Sequence, residues 1–168
     1  MLKGTLTILF AVGWITSTGC SDVAGSSPLV GARTSPEALA KAALGAMKEQ
    51  DDEALRALMI TEAEYEQLLW PSLPDSRSVP FAFAWGMNAP RSRKARRENI
   101  ARFGELPLDL VRVDLGDEIE SYEDFTLYLN ARMTVRNRET GQEGLIPLMD
   151  ALVEMGGGWK FMNFKDDL

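Results

Sequence analysis

The 168-residue chain contains no histidine and a single cysteine. Without histidine, Ser-His-Asp and Cys-His catalysis are excluded, as is every zinc site that needs imidazole. One cysteine excludes an intramolecular disulfide, a CxxC redox pair and any centre built from four thiolates. There is no GxGxxG, GxxxxGK(S/T) or GxSxG motif, so neither a phosphate-cradling loop nor a nucleophile elbow is indicated, and no cofactor is implied. Past the first twenty residues no apolar run approaches the roughly 20 residues that span a bilayer. What is left is a chain of ordinary globular composition, 45% hydrophobic, long enough for one domain with a sizeable core.

Residues 1–19 read as an export signal. Lys3 supplies the positive end, Thr5 to Ile15 form an apolar run, and the small residues Ser17, Thr18 and Gly19 precede Cys20. Residues 17–20 resemble the lipobox of bacterial lipoproteins, in which the cysteine is lipidated and becomes the new N-terminus. Ser17 stands where that motif usually has leucine. Two other readings stay open: cleavage after Gly19 by ordinary signal peptidase, leaving a free thiol, or an uncleaved anchor. The lipobox reading implies a protein held at the cell envelope through acylated Cys20, because several acyl chains together anchor a protein stably. Residues 21–34 are small and turn-rich and are expected to be a flexible tether. The domain is then expected over 35–168.

Helical signals come first. Ser35-Pro36-Glu37 is a capping hydroxyl, a first-turn proline and an acid on the positive end of the dipole, and the helix is expected to run to about Glu49. Asp51-Asp52-Glu53 opens a second helix through Met59, and Thr61-x-x-Glu64 is a capping box for a third that ends at Trp70 before Pro71. After a loop over 71–80, a short buried helix is expected over Phe81–Met87. Another is expected over Arg91–Phe103, with Gly104 closing it. Beyond Pro107 the apolar period changes from 3.6 to 2. Leu108–Leu115 reads as a strand fading into the acidic stretch GDEIESYED. Phe125 to Arg136 alternates as one long strand, Arg138–Gly141 is a turn, and 143–155 is a strand apolar on both faces. Gly156–Gly158 turns into a last strand, Trp159–Lys165. Helices followed by an antiparallel meander indicate an α+β fold.

The run SPEALAKAALGAMKEQDDEALRALM, and the ending of long strand, turn, long strand and GGWKF, resemble the nuclear-transport-factor-2-like (ketosteroid-isomerase-like) superfamily over about residues 35–165. The resemblance implies N-terminal helices packed on a curved antiparallel sheet, a cone-type roll of the cystatin-like kind with an apolar cavity. That superfamily includes isomerases, dehydratases and many binding or dimerising modules, so a homodimer and a small apolar ligand are both compatible with it, and the fold alone does not give the function. The helical segment 61–104 is longer than a minimal member needs.

Several side chains are candidates for chemistry. Asp150 interrupts an apolar strand between Ile146, Leu148 and Leu152, and the resemblance implies a role as general base in a cofactor-free isomerase or dehydratase, where burial would raise its pKa. An edge or bulge aspartate near Pro147 is the structural alternative. Tyr128, Asn130 and Arg132 share the polar face of the long strand and are expected either to line a groove or to face solvent. Tyr65, Trp70, Phe81, Phe83 and Trp85 are either an aromatic ligand cage or core; Tyr128, Trp85 and Phe83 are the ligand-binding candidates. The acids 117–124 lack the EF-hand spacing, so no metal is expected.

Removing residues 1–19 takes away only Lys3, leaving 17 basic against 25 acidic residues. Against that acidic background, residues 91–103 hold Arg91, Arg93, Lys94, Arg96, Arg97 and Arg102 against Glu98 alone. Arg93, Lys94, Arg96 and Arg97 form a candidate contact patch for anionic lipid headgroups or an acidic protein partner. The alternative is a solvated helix compensated by Asp114, Asp117 and Glu118. A nucleic-acid role does not suit an exported acidic protein. The expected function is a membrane-anchored, non-catalytic binding module, with the enzyme reading and a structural envelope role as alternatives.

Overall fold

A computed structural model describes residues 27–146 and 149–164. The export signal, Cys20 and the tether as far as residue 26 lie outside the described residues, as do Pro147, Leu148 and residues 165–168. Local signals start the helices as the sequence predicts. Ser35 accepts a hydrogen bond from the Ala38 N–H at 3.1 Å and Pro36 opens α1 (Pro36–Lys48), which buries Leu39, Ala40, Ala43, Ala46 and Met47. Asp51 accepts from the Ala54 N–H at 2.9 Å and starts α2 (Asp52–Ala57). The reciprocal capping box of Thr61 and Glu64 forms at α3 (Glu62–Glu64), and the chain widens there into a π-type turn over Tyr65–Leu69.

The two helices expected on either side of Pro90 are instead one, α4 (Phe81–Phe103). An interior proline costs roughly 3 kcal/mol, and packing at both ends of the helix offsets it. Ala84 and Trp85 join one core, while Ala95, Ile100 and Phe103 join the other. Gly104 closes α4 with φ -61, so it is not a left-handed cap. Its role is close approach: a Cβ there would lie 2.8 Å from the Met47 carbonyl at the end of α1.

Seven strands follow: β1 (Leu108–Asp114), β2 (Glu118–Ser121), β3 (Thr126–Leu129), β4 (Arg132–Asn137), β5 (Glu143–Ile146), β6 (Met149–Met155) and β7 (Gly158–Phe164). The fold is α+β, with helices packed on antiparallel sheets ordered β1-β4-β5 and β2-β3-β6-β7. The long strand expected over 125–136 is thus divided between two sheets, and so is the strand expected over 143–155. The acidic stretch, expected to be irregular, supplies β2. In sequence β1 runs on to β2, β3 to β4 and β5 to β6, each from one sheet to the other, and the neighbours stay the same. One sheet therefore turns a corner, marked by Gly116 (φ +73) and by Asn130 (φ +57), the latter a conformation Asn tolerates better than most residues.

Leu152 and Val153, consecutive on β6, point into different cores. The first core lies between α1, α2 and the sheet (Leu39, Met47, Met133, Val135, Leu152, Phe161). The second gathers Leu29, Tyr65, Leu69, Trp70, Phe125, Leu127 and Val153 on the opposite face. The expectation that 143–155 is buried on both faces holds for β6. Its hairpin to β7 turns through Gly156 and Gly157, both with positive φ, as a two-residue turn requires.

The edge of β7 is covered rather than free. Arg33 exchanges both backbone hydrogen bonds with Trp159, and Ile60 donates to the Phe161 carbonyl. This corrects the expected tether: in its described part, from Ser27, it docks on the domain. Leu29 and Ala32 are fully buried, and Ser27 donates to the Met155 carbonyl at 2.7 Å. Apolar side chains at 29 and 32 in an otherwise small, polar stretch are what fasten it.

Candidate functional site

On the second face of β2-β3-β6-β7 lies an open cavity of about 350 Å³. Its floor runs across all four strands: Glu118 from β2, Leu127 and Leu129 from β3, Asp150 and Ala151 from β6, and Met162 and Asn163 from β7. Asn130 stands at the corner, and Tyr65, Trp85 and Asn88 form the opposite wall. Four residues singled out in the sequence, Tyr65, Trp85, Asn130 and Asp150, therefore line one space, Trp85 and Asp150 although 65 positions apart. The crossing of α4 over β7 brings them together.

Asp150 does not share a face with Leu152 as the alternation implies. Register shifts on both sides of Ala151 interrupt the pairing with β7, and such a bulge re-aims the side chains around it. Leu152 packs against α1, while the half-buried Asp150 opens to the cavity and accepts a hydrogen bond from Asn163 Nδ2 at 2.9 Å. Its carbonyl also receives the Asn130 N–H at 2.8 Å, tying the two corner residues together. Across the floor, Asn130 Nδ2 donates to Glu118 Oε2 at 2.7 Å.

Of the five aromatic candidates, four cluster: Tyr65 lies 5.7, 6.1 and 5.8 Å from Trp70, Phe81 and Trp85, centroid to centroid. Tyr65 and Trp70 are core, and burial, with the nearby Asp75 charge, pushes the Tyr65 phenol up. Trp85, half-buried, is the member that opens to the cavity with Tyr65. Phe83 takes no part, being 64% exposed on the outer side of α4. Tyr128 is also misplaced by the sequence reading, since it sits on the other face against Trp159, 5.0 Å away. Asn130 and Arg132 part company with it because the left-handed Asn130 breaks the alternation. Arg132 lines a separate depression with Arg102 and Phe103.

The basic segment divides in the same way. Arg93, Lys94 and Arg97 are exposed on α4, as a contact patch requires. Arg96 is not: 5% exposed, it donates to Asp52 at 2.8 and 3.3 Å and touches the Met59 sulfur at 3.4 Å. The Arg96 hydrogen bond outweighs burial and holds the Asp52 carboxyl below the usual carboxylate range. Compensation comes from Asp52, and from Glu98 on Lys94 at 3.5 Å, not from the distant acids 114–118.

Local pattern does not announce the best-buried ion pair among the described residues. Lys160, 1% exposed, places Nζ 2.9 and 3.1 Å from the carboxylate of Glu64, which also accepts the Val30 and Thr61 N–H groups at 2.7 Å each. Burial would raise the Glu64 pKa, but these donors prevail and hold it below its ordinary value. The only hint was a lysine in an apolar strand, GWKF. Asn88, Glu118 and Asn163 were likewise missed as cavity residues, because each is an ordinary surface type in its own segment.

Among the described residues, no group of three or more acids or cysteines is placed to hold a metal ion, and no helix is long and apolar enough to cross a membrane. No known family, curated protein or solved structure matches the chain.

Proposed function

We propose that the chain is an exported lipoprotein, anchored at the bacterial envelope through Cys20, whose domain is a non-catalytic small-ligand-binding module. The observation that carries this reading is the cavity over β2-β3-β6-β7. Its size falls in the range of small-molecule sites, and it combines an aromatic wall with a few convergent polar groups. The order of helices before a bent antiparallel sheet supports the nuclear-transport-factor-2-like resemblance as the reading of the fold. Asp150 stands in the cavity, as an isomerase would need, but the side chain that holds its carboxylate, Asn163, is an amide. Amides orient a ligand without exchanging protons.

Docking of the chain from Ser27 onward limits any tether to residues 21–26. Six residues separate Cys20 from Ser27, so Ser27 lies within about 25 Å of the anchor, the reach of seven fully extended steps. Cys20→Ser is expected to move the protein from the membrane fraction to the soluble one, and unchanged partitioning refutes lipid anchoring. For the module, a small-fragment screen by NMR on the detergent-solubilised chain is expected to shift the Trp85 indole and the Asn88 and Asn163 side-chain amides. A screen whose hits leave those resonances unmoved eliminates the cavity as the binding site.

A further inference from the structure

We infer that the ligand class of this cavity is a small organic cation bearing N–H donors, a primary amine or diamine. The inference rests on the reading of the cavity as a binding site and concerns what it selects. The charged side chains lining the space are both acidic, Glu118 and Asp150. One oxygen of each carboxylate is already held by an amide, Glu118 by Asn130 and Asp150 by Asn163. Those bonds engage one N–H of each amide and leave Glu118 Oε1 and Asp150 Oδ1 without a donor among the described residues. The Asn163 carbonyl oxygen is itself buried and unpartnered. Its amide cannot simply be turned round, because that would set one oxygen against another at Asp150.

No lysine or arginine is among the described residues lining the cavity. Two carboxylates thus share the cavity with Trp85 and Tyr65, with no counter-charge among the described lining residues. An ammonium entering this space gains charge-assisted hydrogen bonds to the free carboxylate oxygens and the attraction of the aromatic faces. An anion meets two like charges, and an apolar ligand would take the free Asp150 oxygen out of water without supplying a donor. The acidic balance of the whole chain favours the same sign of ligand.

The test is titration of the detergent-solubilised full chain with 1,4-diaminobutane, glycerol and acetate, followed through the Trp85 indole and the Asn163 amide by NMR. The diamine is expected to bind in the cavity, at least tenfold more tightly than glycerol or acetate, and more weakly as salt is raised. Asp150→Asn is expected to weaken it about tenfold or more, the loss of one charge-assisted contact. Glu118→Gln, on the exposed edge strand of the floor, is expected to weaken it less and provides a second variant should Asp150→Asn fail to fold. Glycerol or acetate binding as tightly as the diamine overturns the amine inference while leaving the cavity as a binding site. Diamine affinity unchanged in both variants overturns it too, as adventitious attraction to an acidic surface. Failure of every compound, these three and the fragment screen alike, to move the cavity resonances removes the binding reading itself.

Discussion

Replacing Lys160 by methionine is expected to destabilise the domain by about 3 kcal/mol at pH 7, the low end for removing one partner of a buried ion pair. The low end applies because Glu64 keeps its two backbone donors, Val30 and Thr61, when the ammonium is gone. Glu64→Gln is expected to cost more, about 5 kcal/mol. It leaves the Lys160 ammonium, 1% exposed, with no anion, and weakens the capping box at the same stroke. The double variant Glu64→Gln/Lys160→Met removes both charges together. Its cost is expected to be about 2 kcal/mol, well below the two single costs combined, because desolvating the pair offsets most of its attraction.

The assay is urea unfolding at pH 7, read by tryptophan fluorescence, with the midpoint shifting and the slope m constant. A loss of about 3 kcal/mol also lowers Tm by about 10 °C for a chain of this size. A Lys160→Met cost under about 1 kcal/mol refutes the assignment of this pair as buried and structural. So does a double variant whose cost equals the sum of the singles, since the two side chains would then not be coupled.

Acid should weaken the fold through the same carboxyl and through Asp52. Both have folded-state pKa values below their ordinary 4.5 and 3.8. The stability they contribute is therefore complete above about pH 4.5 and lost as pH falls through the folded values; urea midpoints between pH 6 and 3 check this, and Glu64→Gln should flatten the profile. Pro90→Ala is expected to raise the urea midpoint by up to about 3 kcal/mol equivalent, because it restores a helix hydrogen bond within α4; an unchanged midpoint means the helix has already relaxed around the proline. Arg96→Met is expected to cost about 2 kcal/mol, whereas Arg93→Ala should stay within about 0.5 kcal/mol. Equal losses in the same melt would mean that burial does not separate the two arginines.

What the sequence disclosed was what short-range chemistry decides. Ser35, Asp51 and the Thr61/Glu64 box start helices because a cap and its orphan N–H groups lie within three residues of each other. The corner of the sheet left no such mark. Phe125, Leu127, Leu129, Ala131, Met133 and Val135 alternate without interruption, as one strand should. The first three nevertheless serve the second core and the last three the first. A single left-handed residue, Asn130, turns the strand over while the period of two runs on unbroken. Lys160 was hidden by the same limit: an alternating strand places it toward water, and only a second layer on that side, carrying Glu64 from 96 positions away, buries it. The cavity combines both effects. Asp150 and Trp85 were each noticeable alone, but their meeting depends on α4 running unbroken through Pro90 and across β7, where local propensity predicts a break. The site thus lies where packing overrode local preference: Asn130 was noticeable as a groove candidate, but the amides from α4 and from the last strand, Asn88 and Asn163, could be found only after that packing was known.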